Sequence, residues 1–208
     1  MEIILIRHGE SKGNKDQIVQ GQTDEGLSEL GHLQAEKLSE YLATLNASGI
    51  YSSDLGRAEQ TAMPTAKKLS LPVKRDPNLR EAHFGIWEGL TFNEVKEKYW
   101  AEYNAWHEDY FIRPDWFESY ETHLLRVKCA IENILKSHNK NDTVLVFTHG
   151  GSIKTQIGYF QKMNGKDLAN FGSANCSLAC LKFNPSTDYE KGKMIYYNKI
   201  VINLENNN

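Results

Sequence analysis

The chain has 208 residues, 40% of them hydrophobic and 25% charged, enough for a substantial core in one domain or at most two. Its net charge of −3 argues against a nucleic-acid or anionic-membrane partner, either of which calls for a basic excess. No apolar stretch approaches the roughly 20 residues that span a bilayer, and Arg7-His8 interrupts the N-terminal apolar run too early for a secretory pattern. Three cysteines, an odd number, fit free thiols in a reducing cytoplasm better than a disulfide framework. The seven histidines are scattered without metal-ligand spacing, so neither a metal nor another cofactor is expected.

Ile3-Ile4-Leu5-Ile6 reads as a buried parallel strand that runs into Arg7-His8-Gly9. A polar loop with Gly13, Gly21 and Gly26 follows. Ser28 is then a plausible N-cap for an amphipathic helix carrying Leu33, Leu38, Tyr41, Leu42 and Leu45. Gly49 to Ser53 reads as a short strand, followed by a helix over 55–69. Pro72 opens another short extended piece, and 79–89 reads as an irregular loop. Helices are expected over 92–111 and 118–138. Thr143 to Phe147 forms a second buried-strand pattern, ending in Thr148-His149-Gly150-Gly151, with a helix from Ser152. Segments 178–183 and 194–204 resemble a closing antiparallel pair, and Asn206 to Asn208 a frayed end. Alternating strands and helices imply an α/β fold, a three-layer α/β/α sandwich with a mostly parallel sheet. No linker divides the chain, so residues 1–208 are expected to form a single domain.

The two buried strands end alike, in Arg7-His8-Gly9 and Thr148-His149-Gly150. Ligand sites of open α/β sheets lie at the carboxyl ends of parallel strands. If the strands are parallel, two imidazoles and Arg7 emerge at one edge and form a cluster suited to an anion. Arg57 lies near the start of a helix, where backbone N–H groups also favour anions. Each piece alone fits a plainer role as well: His149 as a satisfied core histidine, Arg57 as a solvated helix residue. Their coincidence at strand-to-helix junctions is what favours chemistry.

With these residues in place, the chain resembles the histidine phosphatase superfamily, the phosphoglycerate mutase-like fold. The resemblance rests on Arg7-His8-Gly9-Glu10-Ser11 with Asn14, then Gln20-Gly21 and Leu27 to Gly31. It continues through Ser52 to Ala62 and Leu79 to Gly89, and closes on Thr148 to Gly151. It implies that His8 is the nucleophile and becomes a phosphohistidine, with Arg7, Arg57 and His149 on the phosphoryl oxygens. Concentrating positive charge there is how most phosphoryl transfer is accelerated. It implies further that Asn14 bonds the same group, that Gln20, Gly21 and Gly150 line the pocket, and that Glu81 is the proton donor. His83, two residues on, is a candidate substrate contact or a rim residue. Glu10 and Ser11 are expected to shape the turn, and Glu88 to pair with loop backbone.

The family holds both hydrolases and cofactor-dependent mutases. Mutases carry a tandem arginine after a tryptophan beyond the proton-donor loop; here Trp106 is followed by His107-Glu108-Asp109, which favours hydrolysis of a small phosphorylated metabolite. A non-catalytic phosphate-binding module is disfavoured because Arg7, His8, Arg57, Glu81 and His149 are all present. The resemblance also implies an aromatic-rich helical cap at about 90–122. Its density of rings suggests an apolar, aromatic or nucleoside-like leaving group, with core packing as the default explanation. Two departures from the family pattern bear on substrate: Phe117-Glu118-Ser119 lacks the usual glycine before Glu-Ser, and Gly26 stands where proline commonly precedes Leu-Ser.

Overall fold

A computed structural model describes residues 1–184 and 188–203. Its six-stranded sheet has the order β3-β2-β4-β1-β5-β6, built from β1 (Glu2–Arg7), β2 (Gly49–Ser52), β3 (Val73–Arg75), β4 (Thr143–Thr148), β5 (Leu178–Lys182) and β6 (Lys193–Lys199). β3, β2, β4 and β1 run parallel, and β5 and β6 complete the sheet antiparallel, the closing pair expected from the sequence. Leu204 and Asn206 to Asn208 lie outside the described residues.

The helices are α1 (Lys12–Lys15), α2 (Glu29–Leu42), α3 (Gly56–Leu69), α4 (Phe92–Lys98), α5 (Trp100–Glu108), α6 (Tyr120–Ser137), α7 (Gly150–Gln161) and α8 (Gly165–Ala169). The central strands are apolar without alternation because both faces are covered. Ile3, Leu5, Val144 and Val146 pack on one side with Val127, Ile131, Ile153 and Ile157 of α6 and α7. Ile4, Ile6, Leu145 and Phe147 pack on the other with Leu38, Leu42, Ala62 and Ala66 of α2 and α3. These are the three layers anticipated. Among the described residues, no helix is long and apolar enough to cross a membrane.

Several boundaries differ from the expected ones. The single helix over 92–111 is two, broken at Tyr99, whose backbone leaves the helical region at φ −136°, ψ 42°. The break turns Tyr99 between Trp87 and Trp116. α7 begins at Gly150 rather than Ser152, because His149 ends β4's extended run and its carbonyl accepts from Ile153. α1 and α8 are additional short helices. Ser28 does cap α2, accepting from the Gly31 N–H, but Leu33 is exposed while Leu38 and Leu42 are fully buried.

Candidate active site

The parallel register of β1 and β4 pairs Ile6 with Phe147 and Arg7 with Thr148, so His8 and His149 leave the sheet side by side. Their rings meet edge-on, centroids 5.2 Å apart, and both are buried. Gly9 lets the chain turn away tightly: its N–H donates to Thr61 Oγ1 at 2.9 Å, and a Cβ there would sit 2.8 Å from the Gly31 carbonyl oxygen.

The His8 Nδ1 lies 2.7 Å from the Gly9 carbonyl oxygen. A carbonyl only accepts, so Nδ1 carries the proton and Nε2 keeps its lone pair. Burial, then the Arg57 and Arg7 charges, hold the His8 imidazole well below its ordinary pKa, and it is neutral at neutral pH. His149 is held down in the same way, by burial and then Arg57. Its Nε2 meets Ser53 Oγ at 2.9 Å, and Nδ1 has no protein partner.

Both arginines are pinned by backbone oxygens. Arg57, in the first turn of α3, donates to the Thr23 and Gly21 carbonyls at 2.7 Å each and lies 3.6 Å from Asp24. Arg7 donates to the Ser173 carbonyl. Each keeps a buried Nε without a partner. Burial lowers both guanidinium pKa values, with the Glu81 charge the chief opposing influence. Buried cations with unpaired donors need an anion to repay their lost hydration.

Glu81 faces this pair from the loop after β3. Its Oε1 accepts from the Ala82 N–H and its Oε2 from the Gly151 N–H, both at 2.9 Å, so the carboxyl bridges its own loop and the first turn of α7. A side chain at Gly151 would collide with Glu81 Oε1. Asn14 spends its Oδ1 on the Ser11 N–H and on Asn175 Nδ2, which leaves its amide N–H groups to donate. Gln20 carries a buried Oε1 with no partner. Gly21, at φ +52°, turns its carbonyl onto Arg57.

These groups enclose a cavity of about 130 Å³ lined by Arg7, His8, Asn14, Gln20, Gly21, Arg57 and Glu81, with Ile18, Val19, Phe84 and Phe92 as apolar wall. A larger groove of about 800 Å³ between α2 and α3 lies elsewhere, with Met63, Pro64, Leu71 and Val73 in its lining. The structure thus brings together seven of the ten residues singled out from sequence. His149 is not among the lining residues but lies edge-on beside His8, its Nδ1 unpartnered. Gly150 is not in the lining; a Cβ there would fall 3.4 Å from Arg7 Nε. His83 is not brought in: its side chain is half exposed and lies 3.9 Å from Glu88. Glu88 Oε1 accepts from the Gln22 and Phe84 N–H groups, the loop-backbone role expected of it.

None of the aromatic side chains between Tyr99 and Tyr120 lines the cavity. Tyr99, Tyr103, Trp106 and Phe117 pack on Trp87, Val95 and Ala82 as a core of their own, so the default packing explanation holds. The aromatic walls are Phe84 and Phe92, which sequence reasoning missed. It also missed the carbonyl partners of the arginines, Asn175, and Ser53, whose place at the end of a strand rich in hydroxyls was the only signal.

The model of the histidine phosphatase superfamily (branch 1) matches residues 3–191, and the chain belongs to that family. It is 33% identical over 180 residues to phosphoserine phosphatase 1 of Hydrogenobacter thermophilus, covering 86% of this chain and 83% of that one. It is 30% identical over 198 residues to the glucosyl-3-phosphoglycerate phosphatase of Mycobacterium tuberculosis, covering 90% and 89%. The solved mycobacterial glucosyl-3-phosphoglycerate phosphatase complexed with VO3 superimposes with a TM-score of 0.84 at 28% identity, over 96% of this chain and 98% of that one. The protein is therefore a phosphoric monoester hydrolase of the histidine phosphatase type.

Proposed function

We propose that the protein hydrolyses a small phosphorylated metabolite through a phosphohistidine on His8, in the chemical range its relatives' names give, phosphoserine and glucosyl-3-phosphoglycerate. One observation carries the reading: the Gly9 carbonyl fixes His8 as the Nδ1–H tautomer, so a neutral Nε2 adjoins two cationic arginines with unpaired donors. The ester's phosphoryl oxygens take the place of the missing anion, held by Arg7, Arg57, the Asn14 amide and His149. Nε2 forms the N–P bond as the P–O bond to the leaving group breaks, and that oxygen takes the proton of the Glu81 carboxyl. Glu81, now a carboxylate, takes a proton from water; the water oxygen attacks phosphorus, and the N–P electrons return to Nε2. Gln20 and Gly21 shape the pocket, and Gly150 leaves Arg7 room.

We read the chain as a single domain in which the segment at about 90–122 caps the site through Phe92 and the core behind Phe84. Three free thiols, Cys129, Cys176 and Cys180, support a cytoplasmic location, and the net charge of −3 supports the absence of a nucleic-acid partner. The test is turnover of p-nitrophenyl phosphate and of a panel of phosphorylated metabolites, with His8→Ala beside the native protein. Native turnover that His8→Ala abolishes, with an acid-labile, alkali-stable phosphoenzyme trapped by quenching, is expected. A His8→Ala variant that turns over normally would refute the assignment.

A further inference from the structure

The Glu81 loop belongs to no strand or long helix, yet its carboxyl must be placed to within fractions of an ångström for proton transfer. The carboxyl itself is met by the Ala82 and Gly151 N–H groups, and the backbone that carries it is held by a side chain outside the cavity. Arg126 of α6 forms a bidentate fork with Glu118, Nε to Oε1 at 2.6 Å and Nη2 to Oε2 at 2.7 Å. Its remaining donors reach backbone: Nη1 to the Asn78 and Arg80 carbonyls at 2.9 and 2.6 Å, and Nη2 to the Glu81 carbonyl at 2.7 Å. All five N–H groups of the guanidinium are thereby used.

Glu118 completes the clamp from the other end. Its Oε2 accepts from the His83 N–H at 3.2 Å, and its own N–H donates to the His83 carbonyl at 2.8 Å. Residues 78–83 are thus gripped on both sides of Glu81 by one ion pair whose side chains are only 16% and 10% exposed. A second strut meets the same loop: Ser152 Oγ donates to the Arg80 carbonyl, with His123 Nε2 at 3.0 Å behind it. Lysine cannot replace Arg126, because a single ammonium cannot fork onto a carboxylate while holding three carbonyls.

We propose that Arg126, braced by Glu118, is a positioning residue that holds the Glu81 carboxyl at the leaving-group oxygen. This rests on Glu81 being the proton donor of the proposed mechanism. Such a residue matters in proportion to how much the leaving group needs that proton. An alkoxide needs it in order to depart, whereas p-nitrophenolate is a stable anion that departs largely unaided.

The experiment compares kcat/KM for β-glycerophosphate and p-nitrophenyl phosphate in the native protein, Arg126→Lys, Glu118→Gln and Glu81→Gln. Because kcat/KM reports steps up to leaving-group departure, it reads the protonation directly. Arg126→Lys is expected to lower β-glycerophosphate on the order of 10–100-fold and p-nitrophenyl phosphate no more than about threefold, within the range general-acid catalysis supplies. Glu118→Gln, which leaves the arginine in place, is expected to show the same selectivity to a smaller degree, and stands in if Arg126→Lys fails to fold. Adding Arg126→Lys to Glu81→Gln is expected to cost no further selectivity. Equal losses on both esters, alongside a selective Glu81→Gln, would overturn the positioning role. A Glu81→Gln variant without selectivity would instead overturn Glu81 as donor.

Discussion

Between about pH 7.5 and pH 5.5 the protein is expected to lose about 4 kcal/mol of stability, because three imidazoles are buried in neutral form. His8, His123 and His149 are each fully or almost fully enclosed, and burial holds each well below the ordinary histidine value of 6.5. In the unfolded chain they titrate normally. As the pH falls through about 6.5 the unfolded state takes up protons that the folded state refuses, so stability falls with pH. For one such histidine the loss integrates to about 1.4 kcal/mol over those two pH units, and three give about 4 kcal/mol. That is a large share of the roughly 5–15 kcal/mol that a typical domain has in total. Urea titrations at the two pH values measure it, and His123→Gln removes one of the three imidazoles while leaving His8 and His149 in place. The variant's pH-dependent loss is expected to be smaller by about a third. A native loss under about 1.5 kcal/mol, or an unchanged loss in His123→Gln, would refute the picture of three buried neutral imidazoles.

Removing the hydroxyl behind the second histidine, Ser53→Ala, leaves His149 Nε2 unpaired at a buried site and is expected to lower kcat about tenfold, read by steady-state kinetics. Gly21→Ala puts a Cβ at φ +52° and into Glu88 Oε1, displacing the acid that holds the Gln22 and Phe84 N–H groups. A loss of about 2–3 kcal/mol by chemical denaturation is expected, together with a raised KM. Orthophosphate is expected to inhibit competitively and, at about 100 times its Kd, to stabilise the fold by about 2.7 kcal/mol; His8→Ala keeps much of that stabilisation because the arginines remain.

The sheet was legible because β1 and β4 are apolar without alternation, which a strand covered on both faces must be. Two such strands running parallel bring Arg7, His8 and His149 to one edge, and β1 and β4 do run parallel. The long aromatic segment misled, since helical spacing continues through Tyr99 and gives no hint that its ring is needed between Trp87 and Trp116. The start of α7 was placed late because a Gly-Gly pair reads as loop, whereas here the second glycine is the one residue whose N–H and bare Cα the Glu81 carboxyl can approach. Of the two roles open to His83, substrate contact or rim, its half-exposed side chain near Glu88 fits the rim. The partners that fix the site, Gly9, Thr23, Ser173 and Asn78, act through carbonyl oxygens. Every residue type supplies a carbonyl, so no residue identity marks them.

Charge in the cavity decides between hydrolysis and phosphoryl relocation. With both histidines neutral, Arg7 and Arg57 are the only cations of the lining, and together they match the two negative charges of one phosphomonoester. Relocation between two positions of a metabolite needs a bisphosphorylated species held at both ends. The remaining lining residues offer the second end an uncharged Asn14, Gln20 and Gly21, apolar Ile18, Val19, Phe84 and Phe92, and the acidic Glu81. A second phosphoryl group pressed against those walls would lose its hydration with no cation to replace it, at a cost of several kcal/mol. Water pays no such penalty. Once the leaving group has gone, the small cavity that offers a second phosphate no cation still has room for a water beside Glu81, which is what hydrolysis requires.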